Sequence, residues 1–362
     1  MRYVNTSHEV LLDVRHLSVE YLTGSGSVYA LNDVNFQLAR GEIMGFVGES
    51  GSGKTTMANA IARLIKPPAF VTDGEVIYRP PRIDAQPVDV LKLSPKALRQ
   101  FRWQELAFVF QSAMNSLNPV LTVGAQIEDV FRTHRPEMPA SGRRERAAEL
   151  LRLVGISPDR IKSYPHQLSG GMRQRVSIAI ALALSPEMII MDEPTTALDV
   201  VVQREILSEI LALRDQFNFS VMFITHDLSL LLEIADRIVV MYAGSIIENA
   251  SCDELRRQPR HPYTYGLLNS FPTIHGEQTN MAGIPGTPPD LRERPKGCAF
   301  APRCPMVMPR CLTTVPPLRT DIPDEPKHTI ACHLYDADRV AQPQPDDATF
   351  AAGYAATYAG KQ

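Results

Sequence analysis

Apolar and polar positions change period several times along the chain, and the order of those changes predicts the architecture. Over residues 11–38 short apolar and polar stretches alternate and are broken by Thr23-Gly24-Ser25-Gly26-Ser27, which reads as strands joined by a flexible turn. A β-rich start is expected. Residues 43–47 form a short apolar strand, followed by a glycine-rich loop and then by residues 55–65, where Met57, Ala60, Ile61 and Leu64 fall at helical spacing. Over residues 117–164 the pattern becomes helical, with Ala147, Ala148, Leu150, Leu151, Leu153 and Val154 as the apolar face of one charged helix. Strand and helix then alternate through residues 188–191, 206–213, 221–224 and 238–241, the signature of a mostly parallel sheet. After about residue 251 the chain turns rich in Pro, Arg and Cys. Residues 336–362, rich in Ala, Gln and Pro, show no period and are expected to lack order.

Composition adds limits. The 362 residues, 44% of them hydrophobic, can bury a large core, so one main domain and an appendage are expected. A formal net charge of −3 with both signs well mixed gives no basic field for nucleic acid or an anionic membrane. The first residues carry His8, Glu9 and Asp13 where an export signal would be basic and then apolar, which reads as cytoplasmic. The longest apolar candidate, residues 177–184, is too short to span a bilayer. Five cysteines in a chain of this length do not suggest a secreted disulfide scaffold.

Candidate chemistry begins at Gly48-Glu49-Ser50-Gly51-Ser52-Gly53-Lys54-Thr55, with Thr56 beside it. This is a P-loop pattern, in which glycines let backbone N–H groups close around phosphates at a helix N-terminus. Lys54 is expected on the β/γ-phosphates of ATP and Thr55 on Mg²⁺. The run Met188-Ile189-Ile190-Met191-Asp192-Glu193 ends an apolar strand in two acids, at the sheet edge where ligands of such folds bind. Asp192 suits Mg²⁺. Glu193 suits polarising the attacking water, because phosphoryl transfer needs a positioned nucleophile and charge neutralisation.

Leu168-Ser169-Gly170-Gly171-Met172-Arg173-Gln174 resembles the signature of the ABC ATPases. A Ser followed by two Gly at a helix start offers a hydroxyl, open N–H groups and a positive dipole end to an anion. The resemblance implies that Ser169, Gly170, Gly171 and Gln174 face the γ-phosphate bound by another subunit, in a head-to-tail dimer with two ATP molecules sandwiched between. It also implies roles for Gln111 as the glutamine contacting Mg²⁺ and water, for Asp199 in Ala197-Leu198-Asp199, for His226 as a switch histidine on the γ-phosphate, and for Tyr21 stacking on adenine. His261-Pro262-Tyr263-Thr264, Ile284-Pro285-Gly286 and Pro302-Arg303-Cys304 resemble the C-terminal region of oligopeptide, dipeptide and nickel importer ATPases.

The fold so implied is α/β, a P-loop NTPase (RecA-like) parallel sheet with an N-terminal antiparallel β subdomain, a helical insert and a Cys/Pro-rich C-terminal extension. Its expected boundaries are 1–250 for the nucleotide-binding domain, with the insert at about 113–167, then 251–335 for the extension and 336–362 for the tail. The implied partners are a second, related ATPase chain, two transmembrane permease subunits and an extracytoplasmic solute-binding protein, at the cytoplasmic face of the inner (plasma) membrane. Peptides are the favoured solute, with nickel complexes or oligosaccharides as alternatives. An ABC ATPase acting on nucleic acid or ribosomes would call for tandem cassettes, a long coiled-coil insertion or a basic face, and none is present in the sequence.

Cys298, Cys304, Cys311 and Cys332 are separated by five, six and twenty residues, which is not the paired spacing of a zinc ribbon. Prolines crowd the same stretch, so a packed core is expected to be hard to build there. The family resemblance implies a [4Fe–4S] cluster on these four thiolates, as some members carry, with Zn²⁺ or unligated thiols as alternatives and His333 as a substitute ligand. Such a cluster is expected to order the extension without taking part in hydrolysis. Cys252 lies apart.

Overall fold

Strands buried on both faces organise the molecule, a computed structural model that describes residues 9–359 except 25, 82–84, 112–115, 197, 271–282, 320–327 and 340–343. β1 (Val10–Thr23) and β2 (Gly26–Ala39) pair antiparallel, and β3 (Ile43–Val47) leads through the glycine-rich loop into α1 (Lys54–Ile61). The helix expected over residues 55–65 stops early, because Arg63 turns left-handed at φ 52°. β4 (Ala69–Tyr78) returns to β1 and carries β5 (Val88–Asp89), which completes an antiparallel sheet of order β2-β1-β4-β5. The chain continues through α2 (Pro95–Gln104) and β6 (Leu106–Val109) into two helices, α3 (Val123–His134) and α4 (Ala140–Leu153). Then come α5 (Gly170–Ala181), β7 (Met188–Asp192), α6 (Val200–Phe217), β8 (Ser220–Ile224), α7 (Leu228–Ile234), β9 (Arg237–Tyr242) and β10 (Ser245–Ser251).

The second sheet runs β11-β10-β9-β3-β8-β7-β6, where β11 is Thr329–Ile330. Its five strands from β9 to β6 are parallel, and β10 and β11 extend the β9 edge antiparallel. Parallel strands covered on both faces read as continuous apolar runs, because alternate residues serve different cores. In β3, Met44 and Phe46 join one core with α1 and the antiparallel sheet, whereas Ile43 and Val47 join the other with α3, α4 and α5. Each such fully buried side chain contributes about 1.5–3 kcal/mol.

The C-terminal part departs from the sequence expectation twice. After α8 (Cys252–Arg257) and α9 (Pro262–Leu268), the proline-rich stretch does build a packed core. Phe300 is 1% exposed and its ring lies 5.3 Å from that of Tyr242, 5.4 Å from Tyr263 and 5.6 Å from His261. A few large rings here do what a run of aliphatic residues does elsewhere. The fully buried Glu248 of β10 bonds His328 at 2.8 Å and the backbone N–H groups of Arg260 and His261, which ties β11 and α9 to the main sheet. α10 (Pro309–Thr313) follows.

The second departure is the tail, expected to lack order over 336–362. Residues 347–359 form α11 (Asp347–Ala359), with Phe350 fully buried and Tyr354 4% exposed. Both rings pack on Tyr265 of α9, at 5.4 and 6.0 Å, and the Tyr354 hydroxyl donates to the Pro262 carbonyl at 2.9 Å. Alanine-rich sequence favours helix, and two aromatic residues one turn apart supply the face that fixes it. Residues 340–343 and 360–362 of that tail lie outside the described residues.

Phe350→Ala is expected to cost about 3 kcal/mol of local stability, the usual loss for a buried ring. Hydrogen exchange would show faster opening of α11 and α9 with the parallel sheet unchanged, and exchange as slow as in the unsubstituted chain would refute this packing.

Candidate nucleotide site

Four neighbouring parallel strands end on one edge and deliver the candidate residues side by side. In sheet order the P-loop follows β3, His226 follows β8, Asp192 and Glu193 close β7, and Gln111 follows β6. Ligands of open α/β sheets bind outside such strand ends.

The P-loop conformation needs its glycines. Gly48 and Gly53 have φ of 154° and 101°, and a Cβ on them would lie 2.2 Å from the Met241 carbonyl oxygen and 2.6 Å from that of Ala30. Gly51 lies at φ 81°. The first turn of α1 has no side-chain cap, so its N–H groups and the positive end of its dipole face the loop. Lys54 is 6% exposed, and its ammonium donates to the carbonyls of Gly48 (2.6 Å) and Glu49 (3.0 Å) and to Ser52 Oγ (3.2 Å). Burial lowers its pKa, against the charges of Glu193, Asp192 and Glu49. Ser50 sits on the exposed turn between Glu49 and Gly51.

Thr55 Oγ1 donates to Asp192 Oδ1 at 3.2 Å. Burial raises the Asp192 pKa, the Thr55 hydrogen bond and Lys54 oppose that, and the neighbouring Glu193 charge adds to it. Oxygen donors from a hydroxyl and a buried carboxylate fit a hard divalent cation such as Mg²⁺, which would relieve that penalty. Glu193 takes a left-handed φ of 45°, and its backbone N–H donates to the Ile224 carbonyl at 2.8 Å. Its carboxylate is held from three sides. Gln111 Nε2 donates to Oε2 at 3.4 Å, Thr196 Oγ1 donates to the same oxygen at 2.7 Å, and His226 Nδ1 lies 3.3 Å from Oε1. A strained backbone with a fixed carboxylate is typical of a site that orients one group. The Tyr21 hydroxyl lies 3.2 Å from Thr56 Oγ1, which puts its half-buried ring beside the start of α1.

The remaining candidates form a second group. Ser169 Oγ accepts from Met172 N–H at 3.3 Å and caps α5, while Gly170 and Gly171 occupy the first turn. A Cβ on Gly171 would lie 2.7 Å from Val202, so the glycine lets α5 approach α6. Asp199 caps α6 through the N–H groups of Val201 and Val202, and Gln174 is buried. Among the described residues no hydrogen bond joins this group to the P-loop. Ala197 lies outside them.

The cysteines of the extension share one neighbourhood. Burial pushes the Cys304 thiol up to about 12 and raises Cys298 and Cys332 as well, and each of the three is raised further by the other thiols nearby. The Cys298 N–H donates to the Cys311 carbonyl at 2.8 Å. Among the described residues, however, no three His, Cys, Asp or Glu side chains are arranged to hold a metal ion. His333 does not serve as the substitute ligand expected of it, because Nδ1 meets Asp336 at 2.8 Å and Nε2 meets the Thr314 carbonyl at 2.9 Å. Cys252 donates its thiol to the Ala235 carbonyl.

Three residues that touch the site were not among the sequence candidates. Thr196 stood three positions after Glu193 and was open to notice. Tyr263 and Arg303, which contact the P-loop from the extension, lie in segments that carry the importer resemblance, but nothing local pointed them at the P-loop.

Comparison with known proteins agrees with this geometry. Residues 31–196 match the ABC transporter family, and residues 247–311 match the oligopeptide/dipeptide transporter C-terminal region. The chain is 45% identical over 312 residues to the oligopeptide transport ATP-binding protein OppD of Bacillus subtilis strain 168, covering 85% of each chain. It is 45% identical over 332 residues to a probable peptide ABC transporter ATP-binding protein of Sinorhizobium fredii, covering 91% of this chain and 96% of that one. A dimeric post-hydrolysis ATP-binding cassette solved with ADP and Pi superposes with a TM-score of 0.58 at 32% identity, covering 67% of this chain and 99% of that one. An ABC transporter component from Clostridium perfringens gives 0.57 at 26%, covering 68% and 91%.

Glu193→Gln is expected to keep ATP binding and lose hydrolysis by about 100-fold or more, because the polarising carboxylate goes while the phosphate cradle stays. Lys54→Ala is expected to weaken binding itself. Turnover assays and direct titration with ATP separate the two effects, and wild-type turnover in Glu193→Gln would refute the role given to Glu193.

Proposed function

This chain belongs to the ABC transporter family of ATP-binding proteins, and on that premise we propose that it is the ATP-hydrolysing subunit of an importer for di- and oligopeptides. The observation that carries the reading is the Glu193 carboxylate, fixed by Gln111, Thr196 and His226 next to a P-loop lysine and threonine. In this reading the P-loop N–H groups and Lys54 hold the phosphates of ATP, and Tyr21 offers a ring face to adenine. Thr55 and Asp192 hold Mg²⁺, which supplies charge neutralisation when bound. Glu193 accepts a hydrogen bond from the attacking water and orients it, Gln111 and Thr196 keep the carboxylate aimed, and His226 meets the γ-phosphate. The His226 side chain is 60% exposed.

Ser169, Gly170, Gly171, Gln174 and Asp199 have no bond to this chain's own P-loop, which supports the view that they complete the site of a second, head-to-tail subunit. Two ATP molecules would then close the dimer. Among the described residues no helix is long and apolar enough to cross a membrane, so passage of solute needs permease subunits. We place the chain against two of them at the cytoplasmic face, with α3 and α4 as the element that transmits closure, and with a solute-binding protein on the far side. Peptide is the favoured solute because the matched C-terminal region and the relatives named above are of peptide transporters.

In mixed dimers Ser169→Arg is expected to stop hydrolysis at the P-loop of the other chain and to leave ATP binding to its own largely intact. A defect in cis would overturn the head-to-tail arrangement. Reconstitution with the permeases decides the solute: ATP-driven uptake of labelled peptides supports the reading, and uptake of nickel complexes or oligosaccharides alone replaces it.

We also propose that Cys298, Cys304, Cys311 and Cys332 carry a [4Fe–4S] cluster. Support comes from the shared neighbourhood of the four cysteines, in which burial and nearby thiols raise the pKa of Cys298, Cys304 and Cys332, a cost that bound cations remove. The described thiol arrangement is not itself a ligand set, so binding entails closing the four sulfurs together. Anaerobically purified protein is expected to be brown, with iron and acid-labile sulfide. Stoichiometric zinc would make the site zinc, and metal-free protein with an equally protease-resistant extension would leave unligated thiols.

A further inference from the structure

The C-terminal extension holds the phosphate loop directly. Arg303 ends the short turn Ala301–Arg303 with its side chain 4% exposed. Its guanidinium meets the Glu49 carboxylate as a two-pronged fork, Nη1 donating to Oε2 at 2.6 Å and Nη2 to Oε1 at 2.9 Å. The rest of the guanidinium is fixed as well. Nε donates to the Pro285 carbonyl at 2.8 Å and Nη1 also reaches the Tyr242 hydroxyl at 3.2 Å.

Glu49 is the second residue of the P-loop, and it is tied into the site by its backbone. Its N–H donates to the Tyr263 hydroxyl at 2.9 Å, and its carbonyl accepts from Lys54 Nζ at 3.0 Å. The extension therefore grips the residue that Lys54 also grips. Charge gives the grip a purpose. Lys54 lies within reach of three carboxylates, Glu193, Asp192 and Glu49. Asp192 and Glu193 have tasks toward metal and water, whereas a bare Glu49 beside a polyphosphate would only repel it.

We propose that Arg303 is a positioning residue of the nucleotide site, which pins Glu49 and cancels its charge so that the loop accepts ATP. The proposal rests on the ATP-binding reading above and deepens it. The Glu49 side chain is only 29% exposed, and a partly buried carboxylate stripped of its partner is unfavourable, more so beside phosphates. A planar fork suits this task and an ammonium does not, because only the fork engages both carboxylate oxygens and leaves further N–H groups for the Pro285 carbonyl and Tyr242.

The test is equilibrium titration of the full chain with ATP. Arg303→Met is expected to raise Kd about tenfold or more. Glu49→Gln placed in the Arg303→Met chain is expected to recover most of that loss, since it removes the uncompensated charge. A purely structural arginine predicts no such recovery. An unchanged Kd in Arg303→Met, or a double variant as weak as the single one at equal unfolding temperature, overturns the proposal. If Arg303→Met does not fold, Arg303→Lys decides: a Kd raised a few-fold supports the fork, and a wild-type Kd overturns it. Lys54→Ala is titrated alongside. Lost binding there with none lost in Arg303→Met refutes only this inference, whereas equal binding in Lys54→Ala and wild type refutes the nucleotide site on which it stands.

Discussion

An ammonium buried at the start of a helix must find acceptors and counter-charges, and Lys54 obtains both from its own loop and from elements that the parallel sheet brings to one edge. Its direct acceptors are carbonyls and a hydroxyl of its own loop. Its counter-charges come from β7 and from the loop itself. Desolvation lowers the pKa of such a group, and the acids oppose that shift. The order β3-β8-β7 is what brings them within reach, since each strand supplies only one or two residues to the edge.

Glu193 is built on the opposite plan. Where Lys54 is enclosed, Glu193 is partly exposed and is steered by three side chains from three connections, after β6, after β7 and after β8. Its left-handed φ follows from the turn that brings its N–H onto the end of β8. Holding a carboxylate at both oxygens restricts its rotation and leaves a defined direction for a water, which is what phosphoryl transfer asks of a protein. The signature group on α5 and α6 stands apart from the P-loop, in keeping with the second-subunit role proposed above. Its two helix starts are capped by Ser169 and Asp199 and lie close together through Gly171 and Val202, and among the described residues no hydrogen bond joins them to the P-loop.

How legible this was in the sequence depends on how local each feature is. The P-loop, the Asp192-Glu193 pair and the Ser169-Gly170-Gly171 segment each lie within a few residues, and their spacing carries their geometry. Four of the five parallel strands were legible too, because burial on both faces leaves no polar position in residues such as 43–47 or 188–191, whereas β6 was not read as a strand. The Arg303–Glu49 pair joins residues 254 apart in the chain, so no window contains it. The α11 helix was missed for a related reason: its apolar face is only Phe350 and Tyr354, and what they cover, Tyr265, lies on another element. His333 looked like a ligand beside Cys332 because sequence adjacency says nothing about where two ring nitrogens point.

Glycines give the P-loop its shape at an entropic cost, since Gly48, Gly51 and Gly53 have more conformational freedom to lose on ordering than other residues do. A phosphate ligand could order such a loop only by spending part of its own binding energy. Here the loop is already braced from inside by Lys54 and from outside by Tyr263 and Arg303. The outer brace stands on the Tyr242, Tyr263 and Phe300 rings, which also form the packed centre of the extension. Preorganisation of the nucleotide site and folding of the C-terminal region thus rest on the same rings. The extension is part of the site's scaffold and not an appendage hung beside it.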